Sequence, residues 1–233
     1  MAKILTRNLT GKINRIYEII IPSFLRNNYV FAYIVFRPVL GKFTKDYFSF
    51  KEKSKTMSQK EFEDIYERLE DSFVKRETNL NTQSIKQICK DIVGESVLDA
   101  GAGVGYLLNV IYKSNPKLEL FGVDIQPSQP DLKIKYYRSN IEDLPFPSKS
   151  VDTVISTHTL EHVLNFQKAL DELRRVAKKR IIIVVPRQRF SKFTPDLHLR
   201  FFPDKKTLLN AFKGTSYTCE LIDNDWYYVE DIT

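Results

Sequence analysis

The stretch Val97-Leu98-Asp99-Ala100-Gly101-Ala102-Gly103-Val104-Gly105 decides the reading of this chain, together with Gly122-Val123-Asp124 about one β-α-β unit later. A short apolar run predicts a strand that ends in an acid. Three glycines at alternate positions then lead into a helix. Glycine lets the backbone turn sharply and approach a ligand where a Cβ would collide. The acid at the end of the second strand suits the two hydroxyls of a ribose. Together the segments predict a doubly wound sheet with a site for an adenosine-containing cofactor.

The spacing narrows the cofactor. Dinucleotide sites carry G-x-G-x-x-G, with helix amides turned to a pyrophosphate. Here the pattern is G-x-G-x-G, and Tyr106 stands where the third glycine would be. Asp99 directly precedes the loop, where a carboxylate would repel a pyrophosphate but suits an ammonium group. At these residues the chain resembles the class I S-adenosylmethionine-dependent methyltransferases. Residues 97–105 are similar to their first motif and 122–124 to their second. Ser139-Asn140-Ile141-Glu142-Asp143-Leu144-Pro145-Phe146 resembles the segment that meets the adenine. Val151-Asp152-Thr153-Val154-Ile155-Ser156 is similar to the fourth strand, and Leu160-Glu161-His162-Val163 to the helix start beyond it.

The resemblance covers residues 76–233. It implies a Rossmann-like α/β fold, a seven-stranded sheet that is mostly parallel with an antiparallel C-terminal strand. It implies S-adenosylmethionine as cofactor. Asp99, Ala100, Gly101 and Gly103 would hold the methionine end, Asp124 the ribose, and Ile125 the adenine face. Asn140 and Ile141 would meet the adenine edge, and Thr157 closes the set of cofactor contacts. Asn140 stands where Asp is commoner, and its amide oxygen can still accept from the adenine amino group. Arg76 has two readings, a contact to the cofactor carboxylate or a surface salt bridge.

Only three histidines occur, His158, His162 and His198. The first two flank Glu161 and, on a helix, would share its face. They follow the fourth strand, where doubly wound sheets place ligands. His198 lies in the loop after the fifth strand, so all three are expected at the methyl-transfer site. Three readings stay open. A histidine is a general base, suited by its ordinary pKa of ~6.5. Alternatively His158, Glu161, His162 and His198 bind a divalent metal. That pattern resembles the metal sites of small-RNA 2′-O-methyltransferases and of ubiquinone-pathway O-methyltransferases, with His158 in place of their first Glu. Imidazole favours Mn, Fe, Co or Zn over Mg. Thirdly, the Glu and His only tie a loop.

The charge is uneven. The chain carries +7 overall, whereas residues 1–56 hold 11 Lys+Arg against 3 Asp+Glu. The excess therefore belongs to the N-terminal segment, which is also rich in Tyr and Phe. That composition fits a helical cover or subunit contact such as a homodimer, an anionic small-molecule acceptor, or a membrane surface. The apolar run 29–36 falls short of the ~20 residues of a membrane span. No signal peptide is read at the start, and Cys89 and Cys219 read as buried free thiols, so a cytoplasmic setting is expected.

The expected organisation is an N-terminal helical extension, residues 1–75, and a methyltransferase domain, 76–233. Helical pieces within 8–36 end at Pro22 and Pro38, and 41–56 is read as a linker. Ser58 and Glu61 predict a capped helix over 59–74. A further helix is expected over 81–93. The function expected is O-methylation of a small polar acceptor, such as a sugar or a glycan-linked phosphate derivative in polysaccharide biosynthesis. An RNA 2′-O-methyltransferase is the alternative, although the region outside residues 1–56 is near neutral and shows no RNA-binding module. A non-catalytic cofactor-binding subunit is the third.

Overall fold

Strands form where apolar, β-branched residues run together, as in the central members of a seven-stranded sheet. The protein is described from a computed structural model covering residues 17, 20–70, 78–126 and 133–232. Arg76 and parts of the first predicted helices lie outside the described residues. The chain forms two compact units, 1–76 with 189–199, and 77–188 with 200–233. Residues 189–199, read from sequence as part of the 76–233 domain, thus group with the first unit.

The second unit contains α5 (Thr82–Asp91), β1 (Ser96–Ala100), α6 (Tyr106–Ser114), β2 (Glu119–Asp124) and β3 (Lys135–Arg138). These are followed by β4 (Val151–Thr157), α7 (Phe166–Val176), β5 (Ala177–Pro186), α8 (Lys205–Phe212), β6 (Tyr217–Ile222) and β7 (Asp225–Asp231). The strand order is β3-β2-β1-β4-β5-β7-β6. Every pairing from β3 to β5 is parallel, and β7 runs antiparallel to both β5 and β6. This is the Rossmann-like arrangement expected from the motifs.

Both faces of the sheet centre are buried, which explains the unbroken apolar run Ile181–Val185 within β5. Leu98, Ile181, Ile183 and Tyr228 join one core, with Leu170 and Leu173 of α7. Val97, Ile182, Val184 and Tyr227 join the other, with Ile88 of α5 and Leu108 of α6. Neighbours in each strand alternate between the two cores, as the period of two demands.

The first unit is helical: α1 (Ser23–Arg26), α2 (Tyr29–Leu40), a short 3₁₀ turn (Gly41–Phe43), α3 (Thr44–Lys53) and α4 (Gln59–Glu70). Two sequence expectations are corrected here. Pro38 does not end α2, because it sits in the last turn and Gly41, with φ 54°, stops the helix instead. Residues 41–56 are no linker, since α3 buries Tyr47, Phe48 and Phe50. Phe48 packs on Phe193 at 4.9 Å, Phe50 on Phe62 at 5.5 Å, and Tyr47 Oη donates to the Leu69 carbonyl at 2.9 Å. The aromatics that looked like linker composition are the core of this unit. Ser58 caps α4 as expected, its N–H donating to Glu61 Oε2 at 2.8 Å. The cysteines are free thiols, Cys219 buried and Cys89 only half-buried.

Candidate functional site

The site begins where β1 ends. Gly101, Gly103 and Gly105 all have positive φ, 89°, 52° and 76°, and Gly105 precedes the first turn of α6. The loop is fastened to β2, since Gly101 and Ala102 N–H both donate to the Val123 carbonyl, at 2.8 and 3.0 Å. The two inner glycines differ. A Cβ on Gly101 would lie 2.1 Å from Thr159 Oγ1, whereas one on Gly103 would meet nothing within 4 Å. Gly101 is required for packing, and Gly103 leaves a backbone open to a ligand.

Two carboxylates meet at this loop. Asp124 Oδ2 accepts from Gly103 N–H at 2.8 Å and Oδ1 from Gln126 N–H at 2.9 Å. Both oxygens keep a second lone pair, so the acid is oriented and can still accept. Asp99 is buried, and its Oδ1 has no hydrogen-bond partner among the described residues. Burial and the neighbouring Asp124 charge push its carboxyl up to about 7. A buried carboxylate oxygen of this kind is costly unless a donor or cation meets it. Ala100 is buried beside it, and Ile125 is half-buried after β2.

The adenine-like segment is a pinned loop. Arg175 of α7 donates to the carbonyls of Phe146 at 2.7 Å and Leu144 at 3.0 Å. Glu172 accepts from Leu144 N–H at 2.8 Å. Ile141 is buried. Asn140 Oδ1 accepts from Glu142 N–H at 2.8 Å, so the oxygen that the sequence reading assigned to adenine also closes the turn.

Residues 158–165 correct another expectation. No helix begins at Leu160; the segment is a turn, with His162 N–H donating to the Thr159 carbonyl at 2.9 Å and His158 at φ 51°. The turn nevertheless gathers the side chains. His158 Nδ1 lies 3.4 Å and His162 Nε2 3.9 Å from Glu161 Oε1. Glu161 is fully buried, and its carbonyl accepts from Arg200 N–H at 3.1 Å. The Arg200 guanidinium donates to the Leu164 carbonyl at 3.3 Å. Thr157 ends β4, and its carbonyl accepts from the Thr159 hydroxyl at 3.1 Å.

Sequence reading missed Asp225. Its Oδ2 lies 3.3 Å from His158 Nε2 and accepts from Asn81 Nδ2 at 3.1 Å. His158 is therefore held between two carboxylates. Burial alone would lower its pKa, but the bonds to Asp225 and Glu161 outweigh it and push the imidazole up to about 9. Nothing in the local sequence marks Asp225, because only the antiparallel β5–β7 pairing carries it to the end of β4. His198 belongs to the first unit, where its Nδ1 lies 3.6 Å from Asp196 Oδ2.

Residues 98–185 match the family model described as a methyltransferase domain. The chain is 33% identical over 156 residues to the demethylmenaquinone methyltransferase of Tropheryma whipplei (strain Twist). Residues 98–185 thus belong to a methyltransferase domain. The match to the Tropheryma protein covers 60% of this chain and 63% of that one, so this chain spans somewhat under two thirds of that relative's length. A probable S-adenosylmethionine-dependent methyltransferase of Mycolicibacterium smegmatis is 27% identical over 150 residues, 59% of this chain and 54% of its own. Among solved structures, the PH0226 protein of Pyrococcus horikoshii OT3 is similar in fold to this methyltransferase domain. Its TM-score is 0.51 at 18% identity, over 65% of this chain and 89% of that one.

Proposed function

We propose that the chain transfers the methyl group of S-adenosylmethionine to a hydroxyl of a small acceptor. The observation that carries this is the unpartnered, buried Asp99 oxygen beside the open Gly103 backbone. That pair fits a ligand with an ammonium group and no phosphate. Asp99 takes the ammonium end, with Ala100, Gly101 and Gly103 forming the loop around it. Asp124 takes the ribose hydroxyls, already oriented by two N–H groups. Ile125, Ile141 and Asn140 border the adenine, and Thr157 closes the set from the end of β4.

The bound cofactor supplies an electrophilic methyl on a sulfonium, whose leaving group is a neutral thioether. The chain therefore needs mainly to align and to take up one proton. Among the histidines of the second unit, His162 is the base of this reading. His158, paired with Glu161 and Asp225, keeps its proton and offsets their charge. Its place as base or metal ligand in the sequence reading is thus reassigned. Glu161 stands next to both imidazoles and orients them. His198, in the first unit, has no assigned step.

A divalent metal at Glu161 and His162 is a variant of this reading that one experiment separates. Turnover that a chelator abolishes and Mn or Zn restores supports metal assistance, and turnover indifferent to chelation supports the imidazole alone. A second acceptor class, a quinone-type ring, is favoured by the similarity to the demethylmenaquinone methyltransferase. The test is calorimetry with S-adenosylmethionine, followed by labelled methyl transfer to sugars, hydroquinones and RNA. Binding that His162→Ala leaves intact while turnover falls by 10²-fold or more supports the assignment, at roughly the general-base contribution. Absence of heat with the cofactor in folded protein overturns it.

A further inference from the structure

The described residues hide most large apolar side chains, yet one short stretch does the opposite. Ile20, Phe24, Val30 and Ile34 are 66%, 72%, 64% and 67% exposed. Val30 and Ile34 are one helical turn apart on α2, opposite the buried Ala32 and Phe36. Single exposed apolar residues are ordinary, whereas four of this size within fifteen positions mark an interaction surface.

Its charge selects the partner. Residues 20–45 contain no Asp or Glu. Arg37 on α2, Lys42 in the 3₁₀ turn that follows it and Lys45 at the start of α3 are all exposed. Tyr29, which is 45% exposed, adds an amphipathic ring suited to a headgroup boundary. Exposed apolar side chains accompanied only by cations complement an anionic lipid surface. A second copy of the chain would set the same cations against one another. A span is excluded for α2, whose 12 residues reach about 18 Å, well short of the ~30 Å hydrocarbon core.

We infer that the α1–α2 face of the first unit lies on anionic membrane surfaces, with Phe24 and Ile34 inserted at the headgroup boundary. This inference is independent of the methyl-transfer reading, because its readout is lipid binding.

The test is co-flotation of the full chain with phosphatidylcholine vesicles, with and without phosphatidylglycerol. Binding is expected only with the anionic lipid. It is expected to fall sharply at about 1 M salt, where the screening length shrinks to ~3 Å. Phe24→Ser and Ile34→Ser should each weaken it by roughly tenfold or more. Leu221→Ser, an exposed apolar change on β6, should leave it unchanged. Circular dichroism checks that each variant remains folded. Equal binding to neutral vesicles, no binding to either, or concentration-dependent self-association that Phe24→Ser abolishes would each overturn the inference.

Discussion

Asp225 Oδ2 stands 3.3 Å from His158 Nε2, although 67 residues separate them. The contact makes His158 a buried cation near neutral pH, with its pKa pushed up to about 9. An imidazole raised in this way stabilises the fold fully below its free value of ~6.5, and that contribution is lost as pH rises through about 9. Asp225→Asn should bring the His158 titration, followed by ring-proton NMR, back toward the ordinary value. The variant should be less stable by roughly 1–3 kcal/mol near pH 6. The deficit should shrink above pH 9. A His158 titration unchanged by the substitution would refute the assignment.

Asp99 has a pH dependence of the same sign, set in a lower window. Its carboxyl is raised to about 7, so its contribution to stability is full below the free value near ~4 and is lost as pH rises through about 7. Asp99→Asn removes the charge at equal size. The free protein should gain on the order of 1–3 kcal/mol at pH 8, read as a higher denaturation midpoint. The same variant should lose S-adenosylmethionine affinity by 10-fold or more, about the value of one charge-assisted hydrogen bond. In the wild type, affinity should rise with pH up to about 7, with proton release seen as a buffer-dependent heat.

The glycine loop separates folding from binding. Gly101→Ala drives a methyl into Thr159 at 2.1 Å, at φ 89°, and should lower stability by about 2–4 kcal/mol in denaturant titrations. Gly103→Ala meets no neighbour. It should lose only ~1 kcal/mol for its φ of 52°, with the fold intact and cofactor affinity clearly reduced. Equal effects of the two substitutions on binding and on stability would remove the distinction.

Arg175 holds the loop at residues 144–146 by two carbonyls and by Glu172 Oε1 at 2.6 Å. Arg175→Ala should free that loop and weaken adenosine binding several-fold in calorimetry. Gly103 and Asp124 would be untouched. A normal affinity for adenosine in the folded variant would show that the clamp serves stability alone.

Much of this arrangement was legible along the chain, for local reasons. The run 97–105 specifies a strand, a left-handed glycine turn and a helix, because φ and chain direction are set within a few residues. The capping pair Ser58 and Glu61 is likewise local. The turn at 158–162 was misread as a helix, since His158 adopts φ 51° only in the company of its neighbours. The aromatics of 41–56 resemble a linker because their partners, Phe62 on the next helix and Phe193 far along the sequence, come from other segments.

By itself, then, the sequence determined the sheet class and the two acids that frame the glycine loop, through short-range sterics and periodicity. Only the tertiary structure decided that Asp225 charges His158, that Thr159 fills the space beside Gly101, and that residues 189–199 group with the helical unit. Those outcomes depend on pairing between distant segments, and burial, charge and close contact have no value until that pairing exists.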